Sequence, residues 1–143
     1  MNTKNSKRKK RSGKGKLISA YLEGISLDAL FDLYDELKDA LQDKPGLYAL
    51  YKDSNLHYIG MSKNLFGRID WHRKDHHKGK WNYFSAYILR KSHYSKDMEA
   101  VMLRIGDPKG NKKSGNFHYK ANVNKKLKAA IKERCKSLEQ MFW

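Results

Sequence analysis

The run Gly46-Leu47-Tyr48-Ala49-Leu50-Tyr51-Lys52-Asp53-Ser54-Asn55-Leu56-His57-Tyr58-Ile59-Gly60 sets the architecture of this chain. Two short segments rich in aromatic and aliphatic residues flank the polar connector Lys52 to Asn55, which reads as an antiparallel hairpin. Side chains alternate along a strand, so Tyr48 points away from Leu47 and Ala49, and Tyr58 away from His57 and Ile59. Both phenols then fall on one face of the sheet if the register allows.

On the N-terminal side, Ser26 has the chemistry of a helix N-cap, with Asp28 favourably placed for the helix dipole. Leu27, Leu30, Phe31, Tyr34, Leu37 and Leu41 recur at helical spacing and predict one helix to about Gln42, ended by Pro45 and Gly46. On the C-terminal side, residues 63–73 predict a helix, and 72–80 form a basic, His-rich loop. Tyr83 to Arg90 predicts a third strand, and Ser95 caps a helix over 96–106. A polar loop over 109–121 precedes a final amphipathic helix from about 123 to 141. This αββαβαα order describes an α+β fold: a small three-stranded antiparallel sheet flanked by helices. Four stretches follow: a tail (1–16), a helical extension (17–43), a core (44–113), and a basic loop with a C-terminal helix (114–143).

The 143 residues carry 31 Lys and Arg against 15 Asp and Glu, a formal charge of +16, which points to an acidic polymer as partner. Residues 1–16 hold eight of those cations and no acid, so half the excess sits in the tail. Such a composition is expected to be disordered when free. No run nears the roughly 18 to 20 apolar residues of a membrane span. A soluble cytoplasmic protein of bacterial or phage origin is expected; in a eukaryote, Lys7-Arg8-Lys9-Lys10-Arg11 would read as a nuclear import signal. Cys135 is the single cysteine, which excludes an internal disulfide and zinc sites built on several thiolates; a partly buried, unreactive thiol is expected.

Several residues suit phosphodiester chemistry. Arg68 and His72, at i and i+4, share one helix face. A guanidinium forks onto two phosphate oxygens, and an imidazole moves protons near neutrality. Glu99 offers a hard oxygen for Mg²⁺ or Mn²⁺, and as the only carboxylate so placed it predicts one ion rather than two. Lys63, Arg73, Lys74, His76, His77, Lys78 and Lys80 are candidate nucleic-acid contacts, the adjacent histidines read as solvated or phosphate-facing rather than metal-binding. Trp71 reads as a core residue, while for Trp81 stacking on a base and packing in the core both remain open. Gly110 to Gly115 has phosphate-loop spacing, but Asn116-Phe117 follows where Lys-Ser/Thr is required, so that reading fails.

These residues together resemble the GIY-YIG nucleases over about residues 44–113. Gly46-Leu47-Tyr48 and Tyr58-Ile59-Gly60 resemble the paired signature, with Leu in place of Ile in the first. The run Ser62 to Ile69 resembles the following helix, with Arg68 eight residues after Gly60 and His72 four further on. Met98 to Leu103 resembles the helix bearing the metal-binding Glu, here Glu99, and Pro108-Lys109-Gly110-Asn111 its closing Pro-x-x-Asn turn. The resemblance implies a DNA endonuclease, monomeric or homodimeric, with RNA a lesser candidate than DNA. Its implied catalytic set is Tyr48, Tyr58, Arg68, His72, Glu99 and Asn111. Tyr48 would stand next to the attacking water, with Tyr58 or His72 assisting, and Asn111 would order the site by hydrogen bonds. Met61 departs from the pattern, because some members carry a basic residue directly after the second Gly. The alternative is a non-catalytic nucleic-acid-binding protein, either an inactive form of this fold or a basic module.

Overall fold

The computed structural model describes residues 16–113, 115 and 123–142. The tail reading for residues 1–15, and most of the 114–122 loop, lie outside the described residues. Four strands form one sheet: β1 (Ile18–Ser26), β2 (Gly46–Lys52), β3 (Asn55–Ser62) and β4 (Tyr83–Leu89), in the order β1-β4-β2-β3, every neighbouring pair antiparallel. The helices are α1 (Leu27–Asp32), α2 (Tyr34–Leu41), α3 (Leu65–Trp71), α4 (Ser95–Gly106) and α5 (Val123–Glu139).

The expected hairpin is β2–β3, closed by Asp53 at a φ of 55°. Asn82 locks that turn, its Oδ1 accepting from the Asp53 N–H at 2.7 Å and its Nδ2 donating to the Asp53 carboxylate at 2.9 Å. In register, Tyr48 faces Gly60 and Leu50 faces Tyr58, which places both tyrosines on one side of the sheet.

The sheet has four strands, not three. Residues 18–26, expected to belong to a helical extension, pair with β4 as an edge strand. Register shifts interrupt the pairing, and Gly24 at a φ of 64° gives its N–H to Ser85 Oγ at 3.1 Å. Irregularities of this kind blunt an edge that would otherwise template another strand. Ser26 caps the next helix as expected, accepting from the Ala29 N–H at 3.1 Å. The single helix predicted to Gln42 is instead two, bent at Leu33; Leu30, Leu37 and Leu41 are buried while Phe31 and Leu33 are exposed.

Helices cover both faces of the sheet. On one, Leu30, Leu37, Leu41, Leu65, Phe66 and Ile69 from α1, α2 and α3 pack with Tyr48, Leu50 and Phe84. On the other, Leu103 of α4 packs with Ala49 and Ile59. Strand β2 is buried from Gly46 to Leu50, whereas β3 lies at the edge of the sheet. The described part of α5 has no buried residue: Leu127, Ile131 and Leu138 face outward, so this helix does not pack on the body as an amphipathic pattern suggests. Cys135 on α5 is exposed rather than partly buried.

Candidate active site

The two signature glycines are required by close approach. A methyl group at Gly46 would collide with the Tyr87 carbonyl of β4, and one at Gly60 with the Tyr48 hydroxyl across the ladder. Gly60 therefore lets the Tyr48 ring lie over β3, where its hydroxyl reaches His72.

His72 ends α3 and is 3% exposed. Its Nε2 lies 2.7 Å from Tyr48 Oη, and its Nδ1 lies 2.7 Å from Asp75 Oδ2. An ionised carboxylate only accepts hydrogen bonds, so Nδ1 carries the proton and Nε2 accepts from the phenol. The ring is fixed further by Trp81, whose Nε1 donates to the His72 carbonyl at 3.0 Å. Burial holds the imidazole below its ordinary pKa, although Asp75 pulls the other way. Burial also pulls the Asp75 carboxyl upward, but the His77 N–H and the His72 ring outweigh it and keep it below the usual carboxylate range. The Tyr48 phenol is pushed well above its ordinary pKa by burial and by Tyr58, against the lowering effect of Arg68. Tyr48 is thus a neutral donor at neutral pH, and at 1% exposure it lies behind the surface.

Tyr58 connects this buried pair to open space. Its ring lies 6.0 Å from that of Tyr48 and 5.2 Å from that of His72, and its other side lines a cleft of about 520 Å³ between β3 and α4. Met61, Lys96, Glu99 and Asn111 line the same cleft. Although α4 covers the opposite face of the sheet, Glu99 lies one helical turn before Leu103 and comes in beside the β3 edge. The Met61 N–H acts on its carboxyl, and its charge acts on the Tyr48 phenol. Burial raises the Glu99 carboxyl, partly offset by that N–H. Among the described residues no ion pair includes Glu99. The carboxylate shares its cleft with Lys96 without pairing with it, which leaves its oxygens to a hydrated Mg²⁺ or Mn²⁺ that binds through few protein oxygens.

Asn111 does not face the cleft as a free amide. Its Oδ1 accepts from the Ile59 N–H at 2.9 Å and its Nδ2 donates to the Ile59 carbonyl at 2.7 Å, so it pairs with the β3 edge as a neighbouring strand would. The Gly110 N–H adds a bond to the His57 carbonyl at 2.7 Å. Arg68, on the exposed side of α3, lines an adjoining groove of about 730 Å³ with Lys63, His93 and Lys96. Met61 and Lys96 border both spaces, so the guanidinium and the carboxylate flank one continuous surface.

The candidate nucleic-acid contacts divide into two groups. Lys63, Lys74, His76, Lys78 and Lys80 are exposed. Arg73 is not free, because its guanidinium pairs with Asp70 and stands 4.7 Å over the Phe31 ring. His77 is 2% exposed, bonded to His57 at 2.9 Å and packed 4.5 Å from the Tyr58 ring. Trp71, expected in the core, is instead exposed beside Arg68, while Trp81, for which both roles were open, is in the core. Sequence reasoning missed Asp75, His57 and Lys96. Asp75 had a local signal, three residues after His72, but it sits in a loop dominated by positive charge.

No family model matches the chain, and no curated protein matches it. Three solved structures similar to it are of the N-terminal GIY-YIG endonuclease domain of UvrC from Thermotoga maritima. Two are tyrosine-to-phenylalanine point mutants bound to the catalytic divalent cation, and the third is bound to magnesium. Identities are 16%, 17% and 17%, with TM-scores of 0.48, 0.48 and 0.47. The matches cover 56–57% of this chain and 96–97% of theirs. Likeness at that level carries no inference about chemistry, which must come from the geometry of this chain.

Proposed function

We propose that this chain is a GIY-YIG-type endonuclease that hydrolyses DNA phosphodiester bonds in the cleft between β3 and α4, with one Mg²⁺ or Mn²⁺ held by Glu99. The observation that carries this reading is the row of groups behind that cleft: Tyr58 on its wall, its ring 6.0 Å from that of Tyr48, and Tyr48, His72 and Asp75 joined by hydrogen bonds. Such a row gives a water in the cleft a route for its proton.

A bound divalent ion supplies compensation of charge on the phosphate and the leaving oxygen. Tyr58, rather than the buried Tyr48, positions the attacking water. As the water oxygen attacks phosphorus, the P–O bond to the leaving sugar oxygen breaks, that oxygen takes a proton from solvent, and the proton of the attacking water passes to the Tyr58 oxygen. The Tyr58 proton moves to Tyr48, and the Tyr48 proton to His72 Nε2. The raised pKa of Tyr48 requires the transfer to be concerted, because a stored phenolate there is unfavourable. Asp75 fixes the imidazole tautomer and stabilises the imidazolium that forms. Arg68 forks onto two phosphate oxygens, with Lys63 and Lys96 alongside.

The test is incubation of supercoiled plasmid with the protein in Mg²⁺, Mn²⁺ or EDTA. Nicking is expected with either ion and none in EDTA. Glu99→Ala and Arg68→Ala should each lose cutting by at least a hundredfold yet still retard DNA in a gel, because the basic surface supplies affinity. A wild-type protein that retards DNA but never nicks it with either ion would place the chain among non-catalytic nucleic-acid-binding proteins.

A further inference from the structure

Beneath Tyr58, nitrogen and oxygen ligands from three elements meet. His72 closes α3, Asp75 and His77 follow in the loop, and His57 projects from β3. His72 Nδ1 stands 2.7 Å from Asp75 Oδ2, His57 Nε2 stands 2.9 Å from His77 Nδ1, and the His72 and His77 rings are 5.0 Å apart. One ligand atom each from His72, Asp75 and His77 lies within 4.8 Å of the others. His72 and His77 are 3% and 2% exposed, so their rings are closed off from solvent.

We propose that His72, Asp75 and His77 form a second metal site, for a nitrogen-preferring ion such as Zn²⁺, and that filling it switches off the proton route. Two imidazoles and a carboxylate are a donor set that zinc-like ions accept and that Mg²⁺, which prefers oxygen, does not. Tetrahedral ligands at about 2.1 Å from zinc stand about 3.4 Å from one another. The 2.7 Å gap must therefore widen by less than 1 Å, and a 4.8 Å gap must close by about 1.4 Å, both within side-chain adjustment. Outer support is in place. His57 Nε2 holds His77 Nδ1, and the His77 N–H holds Asp75 Oδ1 at 2.9 Å, leaving Oδ2 beside His72 Nδ1.

The switch rests on the proposed role of His72 as acceptor of the Tyr48 proton. An ion on Nε2 displaces the phenol. An ion on Nδ1 moves the ring proton to Nε2, which then faces Tyr48 as a donor. Either way the acceptor is gone, while the Glu99 cleft is untouched.

The test titrates the full chain with Co²⁺ in millimolar Mg²⁺, reading the visible d–d absorption of a His-coordinated ion, then displaces Co²⁺ with Zn²⁺. One equivalent is expected. His77→Ala and Asp75→Asn should each weaken binding at least tenfold, and His93→Ala, which removes an exposed histidine of the groove beside Arg68, should not. Circular dichroism checks folding, and the near-isosteric Asp75→Asn keeps the test valid if His77→Ala unfolds. Absence of a saturable band, or a band unchanged in both variants, overturns the site. In parallel, plasmid nicking in Mg²⁺ should fall in step with Zn²⁺ occupancy. Occupancy with nicking undiminished overturns the switch and the role of His72, whereas Zn²⁺ binding by a protein that never nicks in Mg²⁺ establishes the site and overturns both the switch and the nuclease reading.

Discussion

A side chain at position 60 would occupy the space that the Tyr48 hydroxyl fills, and that hydroxyl is the donor that satisfies His72 Nε2. The glycine of the second signature triplet and the tyrosine of the first are thus two halves of one contact. Among the described residues no buried polar side-chain atom lacks a hydrogen-bond partner, so the cost of breaking the pair falls on stability as well as on chemistry. Tyr48→Phe removes a donor and leaves a buried ring nitrogen unsatisfied, which costs about 1–3 kcal/mol. Tyr58→Phe removes a hydroxyl from a half-buried ring at a cleft wall and should cost well under that. Both variants should lose nicking, but only Tyr48→Phe should lower the urea midpoint clearly. Equal midpoints in the two would mean that the Tyr48–His72 bond contributes nothing to the folded state, and nicking retained by either would break the proton route.

At the scale of elements, the segment from His72 to His77 carries the strongest pH signature. Burial first, then His76, His72 and His57, against the pull of Asp75, hold His77 down to about 4. Above pH 6.5 neither the folded nor the unfolded chain holds a proton there. Below it the unfolded chain takes one that the folded chain refuses until about pH 4, so stability falls as pH drops across that window. Burial lowers His57 and His72 in the same sense, the depressed Asp75 adds a further loss below the usual carboxylate range, and the raised Glu99 works in the opposite direction. Urea midpoints at pH 7, 5.5 and 4.5 should decline in that order at constant slope, and His77→Gln should flatten the decline; a midpoint that holds steady would contradict the burial of these rings. None of this was legible in the sequence, because it depends on the 72–80 loop folding beneath Tyr58, and the surrounding Lys and Arg disguise it as a surface loop. The same fold-back puts Trp81 inside and Trp71 outside. What sequence did reveal is local: the β2–β3 hairpin, the Ser26 cap and the α3 helix each follow from spacing within one element, whereas Ser95, expected as a cap, is the first residue of α4, and that helix buries Ala100 and Leu103 while Val101 and Ile105 are exposed. Strand β1 escaped because its partners on β4 lie 57 to 71 residues away and the Gly24 irregularity breaks its alternation.

For the molecule as a whole, the governing quantity is the distribution of charge. The described body places Lys96 on the cleft, Lys63 and Arg68 on the adjoining groove, and Lys74, Lys78 and Lys80 exposed on the 72–80 loop, cations that serve, in the proposed function, as a track for one sugar-phosphate strand. The remaining half of the excess charge belongs to residues 1–16, whose eight cations include a run of five from Lys7 to Arg11. Each cation that neutralises a phosphate releases a counterion, so the logarithm of affinity falls against the logarithm of salt concentration by about 0.9 per contact on duplex DNA. Deleting residues 2–16 should therefore weaken binding and make that dependence shallower, by up to about 7 if all eight cations reach phosphate. Specific nicking rate at saturating DNA should change little, because the groups proposed to act on the scissile phosphate all lie in 48–99. Fluorescence anisotropy of a labelled duplex between 50 and 300 mM salt measures the slopes. Parallel slopes for the full and shortened chains would show that the tail makes no phosphate contact, leaving affinity to the track beside the cleft alone.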